Sequence, residues 1–599
     1  MREYSIPALA EIPAMANLAD LVTRRAAEQP QAVMLRRQAA DGAWTNITTT
    51  QFRDDVHALA KGLIAAGIGP GDRLAIMSRT RYEWTVFDYA VWTAGATVVP
   101  IYETSSAEQA EWILSNSQAK FAFAETDTFE DLLRGASERV SSLEKIWRID
   151  PGFAELTASG AQVSDETLAE RATSAKSADL ATVIYTSGTT GRSKGCEISH
   201  ENLLFTVRNV FLGPLAAMQQ VENPSTLLFL PLAHVFARVI EVGSLEAGIV
   251  LGHCPDMTKL VPSLDSFKPT FVLAVPRVFE KVYATAEQTA VGDGKGKIFA
   301  RAADVAVAYS EARSRPAGPA LGLKLQHALF DKLVYGKLRA ALGGRAQYAV
   351  SGGAALAPRL GHFFRGVGVP VIEGYGLTET TAPVSVNRPD RQKVGSVGIP
   401  LPGVAVRIDD DGEVLVRGKS VFSAYWRNEE ATKDSFTPDG WYRTGDIGEL
   451  DDEGFLRITG RKKEIIVTAG GKNVSPSILE DRMRGHLIIS QCMVVGDGKP
   501  FIGVLVTIDT EAFGPWKEQH GKPADATVAD LRADPDLTAA VQEAVDDANK
   551  AVSRAESIRK FAILDNDFTQ EDGHLSAKLG IKRGVLAKEF ASDIEALYS

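Results

Sequence analysis

Apolar residues recur along this chain on two alternating periods. Residues 52–66 carry them on one helical face, and the run stops at Gly67 and the turn Gly69-Pro70-Gly71-Asp72. A short apolar run at 73–77 follows, then a helical stretch at 82–92, a run at 97–101, a helical stretch at 107–114 and a run at 120–124. Units of that length predict strands joined by helical crossovers, hence an α/β class with mostly parallel, doubly covered sheets. Further strands are predicted at 181–185, 227–232, 271–275, 347–350 and 369–373. Amphipathic helices are predicted at 298–312 and 321–342, on either side of Arg315-Pro316-Ala317-Gly318-Pro319. Beyond residue 460, runs at 491–496 and 501–508 alternate with polar helical stretches, enough for a small α+β domain. The pattern by itself leaves the reaction open.

Length and composition narrow the class. A chain of 599 residues is too long for one core, so roughly two to four folding units are expected. Hydrophobic residues at 45% and charged residues at 24% are ordinary for a soluble enzyme. The net charge of -11 argues against a general nucleic-acid binder, while local basic patches stay open. Cys196, Cys254 and Cys492 are far apart and lack C-x-x-C spacing, so neither a zinc site nor a disulfide framework is indicated and a reducing compartment fits. The first ten residues, M-R-E-Y-S-I-P-A-L-A, lack a charged-then-apolar signal pattern, and no run approaches the roughly 18 apolar residues of a membrane span. A cytoplasmic location is expected.

Chemistry concentrates in six stretches. The apolar run 181–185 leads into T-S-G-T-T-G-R-S-K-G, residues 186–195, whose glycines, hydroxyls and Lys194 suit phosphate oxygens. Lys194 is followed by Gly195, so the G-x-x-x-x-G-K-[ST] pattern fails and a P-loop NTPase is disfavoured. P-L-A-H-V-F-A-R, residues 231–238, sets His234 among aliphatics, where a satisfied core histidine is the ordinary reading. Ser351-Gly352-Gly353-Ala354 follows a strand and leaves room for a planar ring. G-Y-G-L-T-E-T at 374–380 follows the strand that ends in Glu373, and G-W-Y-R-T-G-D at 440–446 ends in Asp446. Last comes I-T-G-R-K-K-E-I-I-V-T-A-G-G-K-N-V-S-P at 458–476, in which Ser475-Pro476 reads as a helix start.

Taken in order, these stretches resemble the adenylate-forming superfamily, which includes acyl-CoA synthetases, luciferases and peptide-synthetase adenylation domains. The segments V-P-R-V-F-E-K at 275–281 and G-R-K-K-E-I-I-V-T-A-G-G-K-N at 460–473 are most similar to its long-chain acyl-CoA synthetase branch, and the likeness runs from about residue 20 to about 590. The resemblance implies a large domain, 1–460, that binds ATP and a fatty acid, and a small mobile domain, 461–599, hinged near Lys463. It implies ATP on Thr186, Ser187, Gly188, Thr189, Thr190 and Gly191, with Gly353, Ala354, Glu373, Gly374, Tyr375, Gly376 and Thr378 around adenine and the α-phosphate. Tyr375 can stack on adenine, and Glu379 with Thr186 can hold Mg2+ through hard oxygen donors. Lys194 would neutralise phosphate, and His234 would lie between the carboxylate substrate and the nucleotide. Asp446 would bind the ribose and Arg461 the nucleotide, and Gly470-Gly471 would line the coenzyme A channel. The implied reaction forms acyl-AMP and pyrophosphate, then acyl-CoA and AMP.

One segment departs from the family pattern. Long-chain members end near L-T-P-T-x-K-x-K-R, whose first lysine promotes adenylation, whereas this chain has L-S-A-K-L-G-I-K-R at 575–583 and so Gly580 in the catalytic position. In an extended segment residues 578, 580 and 582 share a face about 6.5 Å apart. Lys578 is therefore the first candidate substitute and Lys582 the second, with weakened adenylation as the third outcome. Competing readings are a fatty acyl-AMP ligase that loads a carrier protein, a luciferase-like oxidase and a nucleotide-binding pseudoenzyme. The uninterrupted hinge at 460–466 favours coenzyme A. The helical pair at 298–342 either packs on the main domain or lies near the acyl tunnel or the membrane surface, with Lys324, Lys332, Lys337 and Arg339 facing anionic lipid.

Overall fold

The computed structural model describes residues 2–39, 41–186, 192–576 and 580–599. A six-stranded sheet runs in the order Lys145–Arg148, Phe121–Ala124, Arg73–Met77, Thr97–Ile101, Leu180–Thr186, Lys194–Ser199. Its first five strands are parallel and the sixth folds back antiparallel on the fifth. The helix Tyr82–Thr93 between two of these strands is buried at every position. It shows almost no amphipathic face because it is covered on all sides. The helix Thr49–Ala65 starts at a capping box in which Thr48 and Gln51 satisfy each other's backbone amides.

Two further sheets repeat the parallel theme. Ser225–Leu228, Val250–His253 and Val33–Gln38 are parallel, with Trp44–Thr48 antiparallel at the edge. Phe271–Ala274, Tyr348–Ser351 and Val371–Tyr375 are parallel, and Ser385–Val386 and Ile399–Pro400 close that sheet antiparallel. A fourth sheet, Glu3–Ser5, Val404–Ile408, Glu413–Gly418, Tyr442–Leu450 and Leu456–Arg461, is antiparallel throughout. Two of its connections, through the turns Asp409–Gly412 and Asp451–Gly454, are short and leave no length for a crossover helix. The large unit therefore has mixed sheets, with parallel pairing dominant in two and shared equally with antiparallel pairing in the third.

The expected elements differ in three places. The strand expected at 227–232 ends at Leu228, and the chain then turns so that His234 can cap the next helix. The loop expected to run to Gly195 is shorter, because Lys194 and Gly195 already belong to the strand Lys194–Ser199. The helix expected over 321–342 is Leu321–Phe330, a π-helical turn at Asp331–Tyr335 and a last segment Gly336–Ala341. The wide turn resets the helical phase, which buries Tyr335 and Leu338 and lets the Tyr335 hydroxyl donate to the Ala302 carbonyl at 2.8 Å.

From Ile466 onward a separate core forms. The strands Ile489–Val495 and Ile502–Ile508 are antiparallel and Ile558–Ile563 joins them parallel. Leu479 and Met483 from the helix Pro476–Met483, with Leu537 and Val541 from Pro535–Asn549, cover one face of this sheet. Met493, Leu505, Leu586 and Leu597 form a second cluster. Fully burying each such leucine contributes about 1.5–3 kcal/mol.

Candidate active site

Antiparallel pairing sets Thr186 opposite Lys194 and Tyr185 opposite Gly195. The strand Lys194–Ser199 meets a segment far away in sequence. Cys196 bridges Tyr425, the Glu197 amide donates to the Ala424 carbonyl at 3.0 Å and the Trp426 amide to the Gly195 carbonyl at 2.7 Å. The result is a compact group: the Lys194 ammonium lies 4.8 Å from the Tyr425 ring centre, and the Tyr425 hydroxyl donates to Glu379 Oε1 at 2.9 Å. Burial, with the Glu379 carboxylate next to it, pushes the Tyr425 phenol well above its ordinary range, so it stays a donor. Arg192 stacks 4.8 Å over Trp112, whose indole donates to the Ser193 carbonyl at 2.8 Å.

Glu379 sits in the one-turn helix Thr378–Thr380, which packs against the strand Lys194–Ser199. The preceding Gly376 is required sterically, since a Cβ there would lie 2.8 Å from Pro383 Cα. A second polar group gathers on the other side of the motif. The Tyr375 hydroxyl donates to Asp446 Oδ2 at 2.6 Å, and Arg461 Nε lies 3.1 Å from Asp446 Oδ1. Asp446 and Arg461 are cross-strand partners in the antiparallel sheet, which fixes their spacing. Burial raises the Asp446 carboxyl although Arg461 opposes the rise, and Asp446 in turn raises Arg461.

Glu373 precedes the motif on the strand Val371–Tyr375. It is buried, accepts from the Leu356 amide at 3.3 Å, and burial pushes its carboxyl up to about 7, with Asp481 adding to the rise. Gly353, at φ +83°, and Ala354 are exposed beside it. A Cβ on Gly352 would stand 3.6 Å from the Gly374 carbonyl and 3.6 Å from the Phe236 ring, so three segments converge there. His234 caps the helix Val235–Ala247, its Nδ1 accepting from the Phe236 amide at 3.0 Å. One turn on, Arg238 is fully buried and paired with Asp88 at 2.8 Å, with Glu241 fully buried on the same helix.

The remaining expected residues lie on the small unit or outside the description. Lys463 is exposed in the one-turn helix Lys462–Glu464, next to Lys462, which pairs with Glu413 at 2.9 Å. Gly470 and Gly471 form an exposed turn closed by the Gly471 amide on the Thr468 carbonyl at 2.8 Å. Gly580 is described, and its amide donates to Ser576 Oγ at 3.2 Å. Ser187, Gly188, Thr189, Thr190, Gly191 and Lys578 lie outside the described residues. The V-P-R-V-F-E-K segment, by contrast, reaches across to the small unit: Arg277 pairs with Asp509 at 2.8 Å and Lys281 with Glu511 at 2.9 Å. Tyr425 and Asp481 are additions that the motifs did not reveal. The aromatic pair Tyr425-Trp426 was the one hint at the former.

The donor set suits Mg2+. Among the described residues no cluster of three His, Cys, Asp or Glu side chains exists, and the Glu379 carboxylate and the Thr186 hydroxyl are hard oxygen donors. Mg2+ commonly keeps waters and completes its shell with substrate phosphates, so such a sparse set fits it.

Comparison with known proteins follows the same lines. The AMP-binding enzyme family matches residues 22–426, and the AMP-binding enzyme C-terminal domain family matches residues 463–599. The long-chain-fatty-acid–CoA ligase FadD15 of Mycobacterium bovis is 51% identical over 603 residues, covering 100% of both chains. The long-chain-fatty-acid–CoA ligase ACSBG2 of Xenopus laevis is 30% identical, over 93% of this chain and 80% of its own. Among solved structures, the anthranilate CoA ligase AuaEII with anthranoyl-AMP superposes with a TM-score of 0.73 at 18% identity, over 97% of this chain and 99% of that one. The chain belongs to the AMP-binding enzyme family.

Proposed function

We propose that the space bounded by Lys194, Glu379, Tyr425, His234, Glu373, Tyr375 and Asp446 is where a fatty carboxylate meets ATP. The enzyme is an AMP-forming long-chain fatty acid–CoA ligase: ATP, a fatty acid and coenzyme A give AMP, pyrophosphate and acyl-CoA through acyl-AMP. The observation that carries the site reading is the joint placement of two polar groups around one motif, Lys194–Tyr425–Glu379 and Tyr375–Asp446–Arg461.

A carboxylate is a poor electrophile, and adenylation activates it. In the first step a carboxylate oxygen bonds to the α-phosphorus while the bond to the pyrophosphate oxygen breaks. Lys194 balances phosphate charge, Asp446 accepts from the ribose hydroxyls, and Tyr375 covers adenine. Mg2+ on Glu379 and Thr186 would supply further charge neutralisation at the phosphates. The Tyr425 hydroxyl holds the Glu379 carboxylate in place. His234, at the start of the helix whose Phe236 ring reaches Gly352, orients the carboxylate. In the second step the coenzyme A sulfur bonds to the acyl carbon and AMP leaves. The small domain, 461–599, turns about Lys463 between the steps, bringing first Lys578 and then the Gly470-Gly471 turn to the reacting groups.

Mass spectrometry of products from purified protein with ATP, Mg2+ and mixed fatty acids, with and without coenzyme A, tests this. Acyl-CoA formed only with coenzyme A is expected. Acyl-AMP that persists in the presence of coenzyme A would point to a carrier-loading ligase, and neither product with ATP bound would mean that adenylation is lost.

Among the described residues no helix is long and apolar enough to cross a membrane. The fatty substrate partitions into bilayers, and the reading extends to peripheral contact with the inner membrane face.

A further inference from the structure

The helix Leu321–Phe330 has two apolar sides, and only one is used. Inward, His327 stacks on Tyr309 at 3.8 Å and donates from Nε2 to the Gly366 carbonyl at 2.6 Å, while Leu323 and Phe330 are half-buried. Outward, Leu321, Leu325, Leu329 and Leu333 are 74%, 66%, 56% and 55% exposed. Their four-residue spacing makes one stripe about 18 Å long, running from the helix into the π-helical turn. No residue of this helix is buried, although six of its ten residues are apolar.

The charges around the stripe run against the rest of the molecule. Residues 296–345 contain nine Lys and Arg against three Asp and Glu, a net +6, within a chain that carries -11. Lys324 and Lys332 are exposed beside the leucines, and Arg301 reaches the helix through a 2.9 Å bond to Gln326. Lys337 is exposed one turn further on, whereas Arg339 is held by Asp331 at 2.6 Å and by the Val367 carbonyl at 2.8 Å. An apolar stripe rimmed by free cations on a helix too short to span is the arrangement that lies in a lipid headgroup layer.

We propose that this face docks on an anionic lipid bilayer, with Leu321, Leu325, Leu329 and Leu333 in the acyl boundary and Lys324, Lys332 and Arg301 on headgroup phosphates. The partner follows from charge complementarity, and the assignment rests on the peripheral contact proposed above. It places the enzyme on the phase that holds its substrate.

Co-sedimentation with vesicles of phosphatidylcholine alone or with about one third phosphatidylglycerol tests the assignment. The wild-type protein is expected to bind the anionic vesicles and to lose most binding at high salt. The K324Q/K332Q variant should bind them about twenty-five-fold more weakly, roughly five-fold per charge. The L325Q/L329Q variant should lose at least about tenfold, and both should keep wild-type turnover of a short, water-soluble fatty acid. Wild-type protein that binds no vesicle overturns both the membrane contact and this face. Wild-type binding that neither variant weakens overturns this face and leaves the contact standing. Light scattering covers the other occupant: a dimer that becomes monomeric in L325Q/L329Q with unchanged vesicle binding would mean that a second copy covers the stripe.

Discussion

Arg238 offers the sharpest test of how the site is held. Its guanidinium and the Asp88 carboxylate are both fully buried, 2.8 and 3.1 Å apart at their two contacts, and join the helix that His234 caps to the helix Tyr82–Thr93. Glu241, also fully buried, is raised well above its ordinary value by burial and by Asp88, with Arg238 opposing. The prediction concerns Arg238→Met, which keeps the stem and removes the charge. Two carboxyls are then left without their cation, a loss of about 3–5 kcal/mol. Asp88→Asn in the same chain should return most of that, because a neutral amide no longer needs the guanidinium. The assay is chemical denaturation of the four members of the cycle, together with kcat for acyl-AMP formation. Wild-type stability in Arg238→Met would show that the pair contributes nothing. Equal losses in the single and double variants would show that packing, and not charge, is at stake. Recovery of stability without recovery of kcat would sink the link between Arg238 and the position of His234.

Three further outcomes are predicted. Arg277→Gln with Lys281→Gln removes one partly shielded and one exposed ion pair between the two units, together about 1 kcal/mol, so trypsin should cut at Arg461, Lys462 and Lys463 about fivefold faster; an unchanged cleavage rate would show that these pairs do not hold the units together. Lys578→Ala should lower acyl-AMP formation by about 10²–10⁴, and Gly580→Lys should restore part of it, because a Cβ at Gly580 meets nothing nearer than Ser576 Oγ at 3.4 Å. Full activity in Lys578→Ala would falsify its assignment. Glu373, raised by burial to about 7 from 4.5, is protonated below pH 4.5 in both folded and unfolded chains, and its stabilising protonation is lost as pH rises through 7. Glu373→Gln should therefore match the wild-type protein at pH 4 and exceed it above pH 7 by about 3 kcal/mol; a difference independent of pH between 4 and 8 would refute the raised value.

What was legible in the sequence depends on how far apart the interacting residues stand. Four parallel strands of the six-stranded sheet were visible because each strand and crossover helix carries its own period within about fifteen residues, whereas Lys145–Arg148 and the antiparallel Lys194–Ser199 were not. The antiparallel sheet built largely from residues 404–461 was not foreseen, since its strands are not separated by regular crossover helices and their pairing is set partly by turns whose signal is weak. The π-helical turn at Asp331–Tyr335 escaped for a related reason: one additional residue shifts the phase of a helix without changing its composition. Groups on contiguous motifs, such as Tyr375 and Glu379, could be named because glycine spacing and residue type are local properties. Tyr425 could not, because its place beside Glu379 is set by pairings between separate segments, with Cys196 more than two hundred residues away and through the Phe422 amide on the Glu379 carbonyl. Asp481 beside Glu373 is the same kind of omission, made by the docking of one unit on another. Motifs thus expose the groups arranged along one stretch of backbone, whereas the groups that hold them in place belong to pairings between stretches. Arg277 shows both sides: its motif marked a branch of the family, and only the pairing with Asp509 gave that arginine a physical task.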